Sequence, residues 1–583
     1  MAETLISPGV LARENDQSFI TQQPVQVGAA IVGPTVKGPV EQPTVVTSYS
    51  DYQNRFGTTF DSGSEVVSYF TSIAAFNYFN NGGNTLLVSR VVSGSTSTWA
   101  YAEAQVGDSA SISIASYTSS FTLEAIDKGV IWNNSGSITS GSLDSGSLDN
   151  VRWQIASRNE AAGTFTLVIR RGDDTTTNPV VLESWNNVSL DPNQDNFISR
   201  VIGDTKYNYN STENYLEISG SYPNASRYVR VKSINQPTPN YLDNAGNAKP
   251  AFTGSIPAVG SGSFGGAFEN GSGNNITTQA GGGNYYDKAG TGVAGNTQGL
   301  LGSDYTNMLN LLSNQDDYQF NALFTPGLFN DAHASQTTTA INNTQTRGDS
   351  LYVLDPVIYG STISSATTQA SSRNTSYATM YWPWLQVIDP DSGKNVWVPA
   401  STMMAGVYAY NDSVSEPWFA PAGINRGGLG NVLRPERKLS QGNRDTLYEA
   451  NVNPIASFPG IGTVVYGQKT LQRQASALDR VNVRRLLISL KGYIGSVAQT
   501  LVFEQNTAAT RNNFLSVVNP YLESVQQRQG LYAFKVVMDD SNNTPDVIDR
   551  NQLVGAIYLQ PTKTAEFIIL DFNVLPTGAT FPG

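Results

Sequence analysis

The chain has 583 residues, of which 14% are charged; its formal net charge is −12, with one histidine and no cysteine. One hydrophobic core does not organise such a length, so about three or four domains are expected. Disulfides, thiolate zinc sites, cysteine nucleophiles and two-histidine metal sites are excluded by composition, and the acidic balance argues against general nucleic-acid binding.

Residues 1–24 read as an arm. The opening MAETLISPGVLARENDQSF lacks the apolar core of a signal peptide, and Ser7, Pro8, Gly9 and Val10 form a turn. There is no run of about 18 apolar residues, so no membrane insertion is expected. Residues 25–32 have a strand pattern, and Gly33, Pro34, Gly38, Pro39 and Pro43 punctuate the loop after it. Tyr49–Phe56 leads to Gly57 ahead of a helix predicted over residues 65–79, with Val66, Tyr69, Phe70, Ile73, Phe76 and Phe79 on its apolar face and Asn80-Asn81-Gly82-Gly83 as its stop. Residues 86–92 are again a strand, which makes a βαβ texture.

Residues 99–297 differ. The Ser-Gly steps of 137–149 read as loop, 165–170 and 215–218 as strands, and the Gly-, Ser- and Asn-rich 254–299 as long exposed loop. The region reads as an inserted β-rich outer domain. From 304 the α/β texture returns: 305–312 is helical, 320–324 and 351–353 are strands, 381–398 is a hairpin turning at 390–394, and 401–410 is a short helix. Residues 25–98 and 298–425 thus form one split α/β middle domain.

Residues 426–583 hold the clearest periodicity. Val483, Leu487, Leu490, Ile494, Val497 and Leu501 step by three and four along one face of a helix, with Asp479 and Asn482 as candidate caps. Arg484, Arg485 and Lys491 fall off that stripe and should face outward. A second helix takes Asn506 or Thr507 as cap and Phe514, Val518, Tyr521, Leu522 and Val525 as stripe; Pro520 predicts a kink or break, and Gly530 a stop. Strands follow over 531–539, 554–559 and 564–574, the last with Ile568, Leu570, Phe572 and Val574 on one face. Lying nine residues from the end, it is free to be an edge that pairs with another chain. Residues 426–583 carry 16 Lys+Arg against 12 Asp+Glu (+4), while the rest carries 19 against 35 (−16), so one face suits an acidic partner.

Catalytic motifs are weak. In 462–470 (GTVVYGQKT), Gln468 separates the Gly467 and Lys469 that a P-loop needs adjacent. Gly260, Gly262 and Gly265 spell G-x-G-x-x-G with no strand before and no helix after, which reads as flexible loop. Asp389, Asp391 and Asn395 resemble a calcium loop, but Pro390 interrupts it, Gly393 takes a ligand position and Ala400 stands where the closing Glu belongs, so a hairpin turn accounts better for them. Asp316-Asp317 and Asp539-Asp540 are unspecific, no carboxylate pair is singled out for glycoside hydrolysis, and His333, in FNDAHASQTTT, reads as a solvated loop residue. No cofactor, metal or enzymatic activity is expected.

The segments DRVNVRRLLISLKGYIG, LVFEQNTAATRNNF and DDSNNTPDVIDRNQLVGAIYLQPTKTAEFIILDF resemble the C-terminal domain of contractile phage tail sheath proteins of the T-even type. WFAPAGINRGGL, the stretch 447–471 and the early SPGV fit the same family. The resemblance implies a mixed α/β, multidomain fold whose C-terminal domain is completed by the N-terminal arm. It implies hexameric rings stacked around a tail tube, contraction from a metastable extended state, baseplate and terminator partners, assembly in the host cytoplasm and residence in the virion. Under it, Ser7, Pro8, Gly9, Val10, Phe567, Ile568, Ile569, Leu570 and Phe572 are inter-subunit arm residues, and Arg484, Arg485, Lys491, Arg511 and Arg528 are tube-facing candidates. The alternatives are the sheath of a phage-like contractile injection system and a glycan-binding or glycan-cleaving tail fibre.

Overall fold

The computed structural model describes residues 28–62, 65–92, 103–106, 119–127, 136–144, 146–264, 286, 289–290 and 297–566. The arm residues Ser7, Pro8, Gly9, Val10, Phe567, Ile568, Ile569, Leu570 and Phe572 lie outside them.

An eight-stranded sheet carries the centre. Its strands are β1 (Ala29–Gly33), β2 (Thr44–Val46), β3 (Leu86–Arg90), β4 (Ala322–Phe329), β5 (Leu351–Asp355), β6 (Ala378–Trp382), β7 (Val452–Phe458) and β8 (Gly462–Val465), in the order β2-β3-β1-β4-β5-β6-β7-β8. The six from β3 to β7 run parallel, and β2 and β8 close the two ends antiparallel. β1, β3, β4, β5 and β6 are buried along their whole length. This follows from apolar runs such as AAIVG and LYVLD, since a parallel sheet is covered on both faces.

Alternate residues choose the face. Ile31, Val88, Phe324 and Val353 pack on α2 (Phe70–Asn80) and α5 (Ala400–Val414). Ala30, Leu87, Leu323, Tyr352 and Leu354 pack on the other side, against α3 (Ala334–Arg347), α4 (Ile363–Ser371) and residues 308–312. Each fully buried Val, Leu, Ile or Phe here contributes about 1.5–3 kcal/mol. A one-residue slip would exchange the two buried faces, leaving a void where Ala30 replaced Ile31 and overfilling the opposite side.

Several expectations are corrected. Tyr49–Phe56 is itself a helix, α1, capped by Ser48. The helix expected over 65–79 is a strand, Glu65–Ser68, followed by α2; Val66 is exposed, and Phe70 begins the helical run. α3 went unpredicted because its sequence, ASQTTTAINNTQTR, has Ile341 as its one large apolar residue and otherwise buries Thr337, Ala340, Thr344 and Arg347. His333 is a buried residue at the start of α3, and its Nδ1 accepts from the Phe329 amide at 3.0 Å. β7 and β8 lie beyond residue 425, where the sequence reading closes the split domain, yet they extend the sheet.

Described residues from 103 to 264 have a core of their own, with Phe121, Leu123, Trp153, Ile155, Leu167, Ile169, Val229 and Val231 at its centre. A four-stranded sheet (Val181–Ser189, Thr164–Arg171, Val151–Asn159, Gly260–Ser263) packs with a three-stranded one (Val229–Ile234, Phe121–Ala125, Glu103–Val106). Gly260 and Gly262, read as loop, are in a strand. A Cβ on Gly262 would lie 2.6 Å from the Trp153 ring, so glycine here serves close packing.

The insertion is fastened at both joints. At entry, the Gly38 amide donates to Asp127 at 3.0 Å and Lys37 pairs with Asp149 at 3.1 Å. At return, Gln298 accepts from the Phe70 amide (2.9 Å) and donates to the Pro326 carbonyl (3.2 Å), while Thr297 donates to the Gly327 carbonyl (2.6 Å). Pro326-Gly327 interrupts the β4 ladder, with Gly327 at φ 102°, and the returning chain satisfies the carbonyls the bulge frees.

Two of the buried carboxyls are held well above the ordinary carboxylate range. Burial pushes Asp127 up to about 7. Asp355, at the end of β5, caps α5 by accepting from the Ser401 amide and hydroxyl, and burial pushes it up to about 7 as well. These two groups therefore bind more protons in the folded protein than in the unfolded chain between about pH 4 and pH 7, and their contribution to stability falls as pH rises through that window. Asp127→Asn and Asp355→Asn should each gain stability relative to wild type as pH rises through it, read from urea unfolding at its two ends.

Candidate assembly surface

The C-terminal unit consists of α6 (Val481–Gln499), α7 (Ala508–Gln527), β9 (Leu531–Val537) and β10 (Ala556–Pro561). Leu486, Leu490, Phe514, Val518, Leu522, Val525 and Leu531 form its core with Trp418. Thr507 caps α7 by accepting from the Thr510 amide. Pro520 does not break α7, which runs on to Gln527. Pro520 and Ser516, whose carbonyl loses its donor, are both exposed, so water takes the vacant place.

The five candidate cations divide. The outward placement of Arg484 and Arg485 is wrong: each is 3% exposed. Arg484 donates to the Ser376 hydroxyl and lies 4.0 Å over the Tyr377 ring; burial lowers its pKa. Arg485 forks onto Asp412 of α5 at 2.6 and 2.8 Å and lies 4.7 Å over Tyr408. The first half of α6 is enclosed by the central domain as well as by α7, and the stripe marks only one of those two covered faces. Arg511 is also buried, joining α7 to Asp540 and Asn506. The other two keep contact with solvent. Lys491 sits 3.3 Å from the Tyr377 hydroxyl. Arg528 pairs with Glu416 at 2.8 Å beside Trp418 and is 44% exposed.

β9 and β10 make an antiparallel ribbon with Phe534 opposite Leu559 and Val536 opposite Ile557 on the covered face. Tyr558 and Lys535 lie on the other face; Tyr558 is 62% exposed. Among the described residues no third strand pairs with either edge. Two strands alone are marginal in water, so the α6–α7 backing sustains the ribbon, and its open edges can accept strands. The third strand expected over 564–574 is not seen in 564–566, and the remainder lies outside the described residues.

Those last three residues are fixed. Glu566 accepts from Arg480 Nε (2.7 Å) and Gln468 Nε2 (3.1 Å) on one oxygen and from the Tyr448 hydroxyl (2.8 Å) on the other. Gln468 Nε2 also donates to Thr564 (2.6 Å). Sequence reasoning missed this cluster, and partners separated by up to 118 positions leave no local signal of it.

The motifs set aside as chemistry have structural roles. Asp389 accepts from Ser68, and Asp391 from Tyr49 and Gln53, so the hairpin turn is pinned to neighbouring elements. After β8 no helix follows directly, and Lys469 donates to the Tyr448 carbonyl at 2.7 Å. Among the described residues no three His, Asp or Glu gather as a metal site, and no helix is long and apolar enough to cross a membrane.

Residues 300–471 match the phage tail sheath central domain, and residues 473–575 match the phage tail sheath C-terminal domain. The tail sheath protein of Vibrio phage KVP40 is 43% identical over 208 residues, 36% of this chain and 31% of that protein. That of Enterobacteria phage T4 is 42% identical over 187 residues, 32% of this chain and 28% of its own length. The chain thus spans about a third of the length of the curated relatives it matches. A crystal structure of a sheath tail protein from Listeria innocua shares the fold, with a TM-score of 0.50 at 8% identity over 92% of this chain and 96% of that one. Residues 300–471 and 473–575, just under half of the chain, thus match the two domains of phage tail sheath proteins.

Proposed function

We propose that this chain is the repeating subunit of a contractile tail sheath in the virion of a phage, assembled in the host cytoplasm. Copies stack as hexameric rings around the tail tube in a metastable extended state, and contraction drives the tube through the host envelope. The observation that carries this reading is the β9–β10 ribbon, open at both edges among the described residues and backed by helices. Strands donated by neighbouring copies would add to those edges through main-chain hydrogen bonds. Residues 1–20, with Ser7, Pro8, Gly9 and Val10, and residues 567–575, with Phe567, Ile568, Ile569, Leu570 and Phe572, are the donors. Such links hold while each subunit body rotates, so contraction draws on packing energy and needs no nucleotide.

Lys491 and Arg528 are the cations left to face an acidic tube, and baseplate and terminator proteins are the partners at the two ends. The +4 balance of 426–583 supports that orientation.

Purified chain mixed with tube protein should form long striated tubes in negative stain; monodisperse particles under those conditions would overturn the reading. Removing residues 567–583 should leave a folded, soluble subunit that makes no tubes. Reversing Lys491 and Arg528 together to Glu should weaken tube binding at least about tenfold at low salt, with the loss shrinking as salt rises. Arg485→Met should act on folding instead, destabilising the C-terminal unit by about 2–3 kcal/mol in urea, less than for a fully enclosed pair because Asp412 keeps some solvent.

A further inference from the structure

The C-terminal unit begins and ends at one place. Arg480 immediately precedes α6, Glu566 follows β10, and the two side chains meet at 2.7 Å. The same point is bolted to the central sheet. The Val481 amide donates to the Gln468 carbonyl (2.8 Å) and the Leu471 amide to Ala378 of β6 (2.9 Å). The Lys469 carbonyl accepts from Thr379 of β6 (2.9 Å) and Asn453 of β7 (2.8 Å). Gln468, which holds both Thr564 and Glu566, is 3% exposed and has no freedom to follow a departing chain.

We propose that Glu566, with Arg480, Tyr448 and Gln468, is a clamp that passes tension from the C-terminal segment directly into the central sheet, bypassing the α6–α7 core. The inference rests on reading residues 567–583 as an arm held by a neighbouring copy. A pull on that arm without the clamp would run back through β10, which unzips from β9 one hydrogen bond at a time, and then into the helices. With it, the pull reaches Glu566 first and meets three donors loaded together, one of them a charged guanidinium. The arm could then move subunits without unfolding the ribbon that receives a neighbour's strands.

The test is single-molecule pulling of the full chain. Because the chain contains no cysteine, one can be placed at exposed Ser335 of α3 and another appended after Gly583. Wild type should resist to a single high-force event and then lengthen by on the order of 300 Å, the contour of residues 481–565. Glu566→Gln, which removes the carboxylate charge shared by all three bonds, should lower that force to roughly half, because charge-assisted bonds are about twice as strong as neutral ones. Arg480→Gln, which removes one of the three charge-assisted donors, should lower it by a smaller amount. The exchange Arg480→Glu with Glu566→Arg should recover part of it, and Arg550→Gln, which breaks an exposed ion pair with Asp546 elsewhere in the unit, should leave it unchanged. Equal forces for wild type and Glu566→Gln, both folded by circular dichroism, would overturn the clamp. Pulling needs no polymer, so that result would leave the sheath reading intact, while wild-type chain that fails to form tubes would overturn the reading and not the clamp's mechanics.

Discussion

The structure depends on a parallel sheet that must be covered on both faces. Once Ile31, Phe324 and Val353 are committed to one layer of helices and Ala30, Leu323 and Leu354 to the other, neither face is left for a partner. Any partner has to be engaged from the ends of strands and from appended units. The outer domain leaves from the end of β3, and the C-terminal unit hangs from the chain that follows β8. The ribbon of β9 and β10 stands outside the central sheet, and among the described residues neither of its edges is paired.

Buried arginines hold the C-terminal unit to that frame. Arg485 reaches across to Asp412 of α5 and Arg484 to Ser376 and Tyr377 after α4, so α6 belongs to two cores at once. Each guanidinium lies over a tyrosine ring, and the flat face of the cation is covered as well as its edge. An interface of this kind is directional. It fixes the angle of α6 more closely than leucines at those positions would.

Local patterns were legible where one element met one surface. The apolar runs of β1, β3 and β5 read as strands, and the stripe through Leu490 and Ile494 read as a helix. The same stripe misplaced Arg484 and Arg485, since periodicity shows a helix one buried face and α6 has two. α3 was invisible because its buried positions are mostly Thr and Ala. The assignment of β7 and β8 to the central sheet was illegible for another reason: pairing with β6 is a long-range choice that VNPIASF does not encode alone. Family resemblance in 479–572 suggested roles that spacing could not, and neither pointed to Glu566, whose partners meet only after folding.

The insertion leaves the sheet after β3 and rejoins it beside the bulge of β4, on either side of β1. At the usual strand spacing those two points stand about 10 Å apart. Domain termini commonly lie that close, so a module of any length can be hung there without altering the order of a single strand. Changes in the inserted domain that spare Gln298, the Gly38–Asp127 and Lys37–Asp149 contacts and the packing of Tyr209 and Leu216 on the central core should therefore leave the sheet intact. The inserted domain can differ in its far loops while the frame that holds it keeps the same strand order.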